Sequence, residues 1–385
     1  MNAPNSGTVT PTGIRCLPMS EFHFEERPYQ KEAVERVLQQ FGSGRESVLL
    51  ESPVGSGKTV MGLLLIRQLQ RQDPGLRVNW VASRRHILHQ VAILNDAYFH
   101  CQLTPVSVFA SNPPKADLVV LDEAHHEATQ SCIDMYEKTG NSLTLGLSAT
   151  PLRTDRMRLA FQTNVQCGNI QYFINTGVLS PFHSYKTNTW DLDQWIRIYC
   201  DEPERWGKTL AFFSRIEECR RFQAGLRSHG IVCDVVTGDS NKDAQLESFI
   251  SGETQVVANV SVLSEGFDLP DLQSVFLRDA SRLPTIQMAG RGLRRNLRKT
   301  HCNFLQSSTT KYEVERIAEP QESFRYRDGK WLSCSGNTEA IMTTMENTLA
   351  MLKDRKVVLP FYFRLGRMVR QVTLKEAFRR KSRFR

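Results

Sequence analysis

Eight consecutive residues, Ser52-Pro53-Val54-Gly55-Ser56-Gly57-Lys58-Thr59, carry the first chemistry in the chain. An apolar run at 47–51 precedes them and a helical apolar pattern at 61–69 follows. Glycines at 55 and 57 let backbone N–H groups turn inward on phosphate oxygens, and a helix opening there adds positive potential. In that arrangement Lys58 reaches the β- and γ-phosphates of a nucleotide and the Thr59 hydroxyl holds Mg²⁺. The strict spacing has Gly where Ser52 stands, so a Gly-Ser turn with a surface lysine is the competing reading.

About 60 residues later the apolar run 118–121 delivers Asp122-Glu123-Ala124-His125. Two carboxylates at the end of a buried strand cost desolvation unless a cation or hydrogen bonds receive them. One can hold Mg²⁺ through water and its neighbour can activate an attacking water. A helix N-terminus with acidic first-turn residues is the alternative. Far along the chain, Arg291 and Arg294 stand three apart in a helical pattern, which would give them one face. Two guanidiniums on such a face suit a transferring phosphoryl group. In isolation they, with Arg295, Arg298 and Lys299, read rather as a solvated or nucleic-acid-facing stripe.

These residues need a scaffold, and the chain alternates strand-like and helix-like segments from about 27 to 305. A helix opens at Pro28, with Ala33, Val34, Val37, Leu38 and Phe41 at helical spacing. Strands are expected at 47–51, 78–82, 105–109, 118–122 and 143–148, with a helix at 84–95 between the second and third. The rhythm restarts with strands at 209–213, 231–236, 254–258, 274–277 and 302–305 and helices at 215–228, 244–251 and 285–290. Strands alternating with helices argue for parallel, doubly wound sheets. The fold class is α/β with two such sheets in series and a seam near 175–205.

Composition bounds the rest. The 385 residues are 40% hydrophobic and 23% charged, which suits a globular chain of more than one domain. Nothing approaches the ~18 consecutive apolar residues of a membrane span. Residues 1–20 lack an apolar core and read as a disordered leader, not a signal peptide. Nine scattered cysteines without Cys-x-x-Cys spacing read as buried thiols of a cytoplasmic protein. His301-Cys302 has no partners at metal spacing. The net charge of +8 is concentrated: residues 353–385 hold 12 basic and 2 acidic side chains, and the remainder is near −2. Phe361, Tyr362, Phe363 and Phe378 interleave with that charge, which suits either strand binding or an amphipathic packed helix.

Taken in order, these blocks resemble the superfamily 2 helicases and translocases. Arg27-Pro28-Tyr29-Gln30 resembles the Q-motif, 52–59 motif I, Ala82-Ser83-Arg84-Arg85 motif Ia, 122–125 motif II and Ser148-Ala149-Thr150 motif III. Phe212-Phe213-Ser214 falls where motif IV belongs, 263–270 looks like motif V, and Gln287-Met288-Ala289-Gly290-Arg291-Gly292-Leu293-Arg294 like motif VI. Motifs V and VI, and the run from Ser148 to Gly177-Val178-Leu179-Ser180-Pro181-Phe182, further resemble the branch of RadD-like DNA-repair helicases and type III restriction motor subunits.

The resemblance implies two tandem RecA-like domains, 21–180 binding ATP and 181–310 following, then a basic extension at 311–385. It implies ATP and Mg²⁺ as cofactors and nucleic acid as partner, DNA rather than RNA. Arg27, Gln30, Pro53, Val54, Gly55, Ser56, Gly57, Lys58, Thr59, Gly266 and Asp268 would bind ATP, with Gln30 reading adenine. Thr59 and Asp122 would hold the metal; Glu123, Lys58, Gln287, Arg291 and Arg294 would serve catalysis. His125, Ser148 and Thr150 would couple the two, and Ser83, Arg84, Ser214 and Arg215 would touch the strand. There are departures: only about 36 residues separate motifs Ia and II, no Thr-Pro-Gly motif Ib follows, and 238–246 is abbreviated. They bear on unwinding more than on ATP hydrolysis. The rival readings are an ATP-switched clamp with little turnover, an RNA helicase, and a motor subunit of a defence or restriction complex.

Overall fold

The computed structural model describes residues 26–126, 130–140, 142–152, 157–238, 240–260, 263, 269, 271–296 and 299–334. The leader, Gly266 and Asp268 of motif V, and the basic run at 353–385 lie outside them. Two sheets lie within the compact unit that ends at Ser333.

The first sheet holds β1 (Ser47–Glu51), β2 (Val78–Ala82), β3 (Thr104–Ser107), β4 (Leu118–Asp122), β5 (Leu143–Ser148) and β6 (Thr163–Gln166). Their order is β3-β2-β4-β5-β1-β6, and every pairing is parallel. Strands such as Val-Asn-Trp-Val-Ala and Leu-Val-Val-Leu-Asp are buried along their whole length, as helices on both faces require. Helices α1 (Pro28–Gly42), α2 (Lys58–Gln72) and α3 (Arg85–Leu94) cover it. α2 lies so close that a Cβ at Gly62 would stand 2.6 Å from the buried Trp80 ring. The register sets Glu51 beside Ser148 and Asp122 beside Leu147. The carboxyl ends of β4, β5 and β1 therefore share one edge, where doubly wound sheets bind ligands.

The second sheet holds β7 (Phe182–Thr187), β8 (Thr209–Phe212), β9 (Cys233–Val236), β10 (Val256–Asn259), β11 (Ser274–Leu277), β12 (Cys302–Ser307), β13 (Glu322–Arg327) and β14 (Lys330–Ser333). Its order is β14-β13-β7-β12-β11-β8-β10-β9, parallel except for the closing β13–β14 hairpin. α8 (Ile216–Arg227), α9 (Lys242–Ser251) and α10 (Arg282–Gly292) fall near the expected helices. α6 (Leu192–Asp201) was not expected, nor were β6, β7 and α5 (Ile170–Asn175). Asp191 caps α6, whose Trp195 and Tyr199 enter an aromatic core with Trp206, Phe222 and Phe276. Residues 322–333, assigned from sequence to the basic extension, instead add two strands to this sheet. Phe324 stacks on Tyr185 at 4.6 Å, which fixes the hairpin there.

One expectation about motif VI is corrected. α10 ends at Gly292, and Arg294 lies beyond it in an antiparallel bridge with Leu179. Arg291 and Arg294 do not share a helical face.

Among the described residues no helix is long and apolar enough to cross a membrane, and the cysteines are thiols.

Candidate functional site

β1 leads into the loop at Ser52, whose amide donates to Ser148 O at 3.0 Å, and α2 begins at Lys58. Gly55 and Gly57 have φ of +84° and +83°, where a side chain is strained. The loop's departure from the strict glycine pattern has a structural use. Ser52 is fully buried, and its hydroxyl donates to Ser56 Oγ at 2.6 Å, which in turn donates to Pro53 O at 2.7 Å. The serine ties the loop across its base. Lys58 Nζ donates to Ser52 O at 3.3 Å and Pro53 O at 3.5 Å, so its ammonium lies over the loop that phosphates would enter.

α1 is pinned to this loop. Gln30 Oε1 accepts from the Arg27 amide at 3.1 Å, and Gln30 Nε2 reaches Ser56 O at 3.4 Å. A Cβ at Gly57 would stand 2.6 Å from Gln30 Nε2, so residue 57 must lack one. Tyr29, which the sequence reading passed over, donates its hydroxyl to Ser56 O at 2.7 Å. Only the fold brings that hydroxyl to the loop 27 positions away.

At the end of β4, Asp122 is 7% exposed and accepts from the Glu123 amide at 3.0 Å. Burial first, then the Glu123 charge, pushes the Asp122 carboxyl up to about 7, against the pull of Lys58. A buried carboxylate held this way calls for a cation, and Thr59 at the start of α2 supplies a neutral hydroxyl ligand of the kind Mg²⁺ takes. The donor set fits that metal. Glu123 adopts φ +52°, uncommon for a residue with a side chain, and sets its carboxylate 3.5 Å from His125 Nδ1. His125 Nε2 lies 3.3 Å from Gln287 Nε2 of α10. With the amide nitrogen as donor, Nε2 is the accepting nitrogen of that contact. Ser148 and Thr150 are buried beside this edge, and the Thr150 amide donates to Ser148 Oγ at 3.3 Å.

α10 closes the site from the second sheet. A Cβ at Gly290 would stand 2.7 Å from Val54 Cβ, so the helix touches the loop. Arg291 is 3% exposed in its last turn. A Cβ at Gly55 would lie 3.3 Å from Arg294 Cγ, which places that side chain against the loop despite its exit from the helix. Glu123, Gln287, Arg294 and the loop are thus gathered on one cleft.

The residues expected to touch a strand are divided between this site and a separate surface. Ser83 and Arg84 line a cavity of about 420 Å³ with Phe109, Asp122 and Glu123. Phe109, 69% exposed, was not singled out from sequence. Ser214 and Arg215 open α8, their amides donating to Glu218 Oε2 at 3.0 and 3.1 Å. Arg215 lines a separate cavity with Asp191, Glu217 and the Arg221–Asp193 ion pair.

Residues 23–103 match the family described as type III restriction enzyme, res subunit, and 191–296 match the helicase conserved C-terminal domain. A Saccharomyces cerevisiae protein named as ATP-dependent helicase IRC3 is 23% identical over 350 residues, covering 72% of this chain and 51% of its own length. The Type ISP restriction-modification enzyme LlaBIII, solved bound to DNA, superposes with a TM-score of 0.59 at 16% identity, over 78% of this chain and 30% of its own. S. cerevisiae Dbp5, solved bound to RNA and ADP BeF3, gives 0.54 at 15%, over 84% and 97%. Such likenesses are of fold, and the fold they share is a tandem pair of RecA-like domains. The chain spans 51% to 64% of the length of curated relatives that it matches. Both family matches and the paired sheets agree with the resemblance to the superfamily 2 helicases, and the first match is to the res subunit of the type III restriction enzymes.

Proposed function

We propose that this chain is a nucleic-acid-stimulated ATPase that translocates on or unwinds DNA. The observation that carries the reading is the closure of α10 on the phosphate loop, with Gly290 against Val54, Arg294 against Gly55 and Gln287 at His125. A strand would bind across both domains by Ser83 and Arg84 of the first and Ser214 and Arg215 of the second. DNA is favoured over RNA by the match of residues 23–103 to the type III restriction res subunit. The first domain is 21–180. The second begins at 181 and includes the hairpin at 322–333, which leaves 334–385 as the extension. The thiol state of the cysteines suits the cytoplasm.

In the mechanism, the triphosphate displaces Lys58 from its two loop carbonyls and takes the ammonium and loop amides as donors. Mg²⁺, held by Thr59 and through water by Asp122, would neutralise charge on the β- and γ-oxygens. Glu123 takes a proton from the attacking water, and His125 holds that carboxylate toward α10 through Gln287. Arg291 and Arg294 stabilise charge on the transferred phosphoryl group. Gln30 and Arg27 line the adenine end; Gly266 and Asp268 would join from motif V. Release of products parts Gln287 of α10 from His125 and shifts the grip on the strand.

The test pairs Lys58→Ala with Glu123→Gln. Lys58→Ala weakens ATP capture, whereas Glu123→Gln binds ATP and loses about 10² or more in turnover. Glu123→Gln keeping more than about a tenth of the rate would refute the assignment of the base. Single-stranded DNA, duplex DNA, forked DNA and RNA as separate activators decide the strand; stimulation by RNA alone would overturn the DNA reading.

A further inference from the structure

The run Gly177-Val178-Leu179-Ser180-Pro181 has no part in the mechanism above, yet it joins three pieces of the site. Its amino half belongs to the first sheet's layer, where the amides of Val178 and Leu179 both donate to Phe173 O of α5, at 2.8 and 3.0 Å. Its other half belongs to motif VI. The Ser180 amide donates to Leu293 O at 2.7 Å, and Ser180 Oγ donates to Arg294 O at 3.1 Å, across 114 positions. Arg295 reaches back to Gly177 O. Gly177 has φ +70°, where a side chain is strained.

The side chains complete the junction. Leu179 and Ser180 are each 1% exposed. A Cβ at Gly55 would lie 3.1 Å from Leu179 Cδ2 and 3.3 Å from Arg294 Cγ, so both side chains cover the same loop glycine. Arg294 has left its helix, and the backbone that aims it is held by this segment.

We propose that residues 177–181 are a strap that positions Arg294 over the phosphate loop, with Ser180 and Leu179 as positioning residues for the phosphoryl-transfer step. The proposal rests on the ATPase reading for its consequence, although its geometry stands without it. Two residues span from Phe173 O on one side to Leu293 O on the other. The end of motif VI therefore cannot leave the loop without breaking the strap, and the cleft opens at the far end of α10.

The experiment compares wild type, Ser180→Ala, Arg294→Ala and the double variant. Ser180→Ala should lower kcat by about three- to tenfold, the rate equivalent of one net hydrogen bond, with KM for ATP unchanged. In the Arg294→Ala background it should change kcat by less than about twofold, because the group it serves is gone. A purely structural serine would lower the melting temperature and slow both backgrounds equally, which would overturn the proposal. Amide exchange supplies a readout independent of turnover: Ser180→Ala should speed exchange in both 177–182 and 289–296. Unchanged exchange in 289–296 would overturn the strap even if the ATPase reading held. A wild type without turnover would sink the ATPase reading and leave the exchange result to decide the strap.

Discussion

Replacing Asp122 by Asn should stabilise the nucleotide-free protein at pH 8 and do so much less at pH 5. Asp122 is buried at the end of β4, and burial with the Glu123 charge raises its carboxyl from 3.8 to about 7. Between those values the native state keeps a proton that the unfolded chain has released. Stability therefore falls as pH rises from about 4 to about 7, then levels off. A shift of about three units at ~1.36 kcal/mol each sets a ceiling near 4 kcal/mol. The Asn amide must also be buried, which leaves a gain of about 1–3 kcal/mol. At ~2–4 °C per kcal/mol for a chain of this size, the melting temperature should rise by about 3–10 °C at pH 8. Its carboxylate acceptor role toward the Glu123 amide, at 3.0 Å, is one Asn can keep. The assay is thermal unfolding from pH 5 to 8.5 in chelator, then with Mg²⁺, which should stabilise wild type more than the variant. A gain of equal size at pH 5 and pH 8 would refute the reasoning, because only the ionised carboxylate carries the cost.

Three further outcomes follow from the site. Gly290→Ala should cut kcat at least about tenfold without loss of melting temperature, since alanine favours a helix by ~0.5–1 kcal/mol over glycine while its methyl collides with Val54; a wild-type rate would refute the close approach. Arg291→Ala should lower kcat by about 10³ with ATP affinity nearly intact; normal ATPase at saturating strand with weakened strand binding would assign it to the strand instead. Removing 353–385 should flatten the salt dependence of strand binding by about 2–4 in slope if three or four of its charges meet phosphates, at ~0.7–0.9 each. Equal slopes in full-length and shortened chains would give that charge another use.

What could be read from the chain was the chemistry written in consecutive residues. The phosphate loop and the Asp122-Glu123 pair were legible because each follows an apolar strand, and a parallel strand's carboxyl end is where such groups converge. The misses are of two kinds. In the first, a local signal existed: Leu192, Trp195, Ile196 and Tyr199 have helical spacing, and Phe324 and Tyr326 alternate with polar neighbours as a strand does. In the second, no local signal existed. The Tyr29 hydroxyl at Ser56 O and the bridge of Arg294 to Leu179 are tertiary contacts. Spacing of three suggested a shared helical face for Arg291 and Arg294, and the bridge overrode it.

That bridge changes how the cleft can work. α10 meets the first sheet through Gln287 at His125 and through Gly290 at Val54, three residues apart on one face. Its end is held by the strap at Leu293 and Arg294. Gln287 lies about 9 Å from Leu293 along a helix rising ~1.5 Å per residue. A rotation of about 20° about the strapped end moves Gln287 by about 3 Å, enough to part it from His125, while Arg294 barely moves. The contact that reports on Glu123 is therefore at the mobile end of the lever, and the strapped arginine at its pivot. Opening the cleft would release the base's orienting partner before it disturbed the phosphate loop. Under the proposed strap, hydrolysis would be tied to closure by Gln287 and His125 at the open end, with Arg294 held in place.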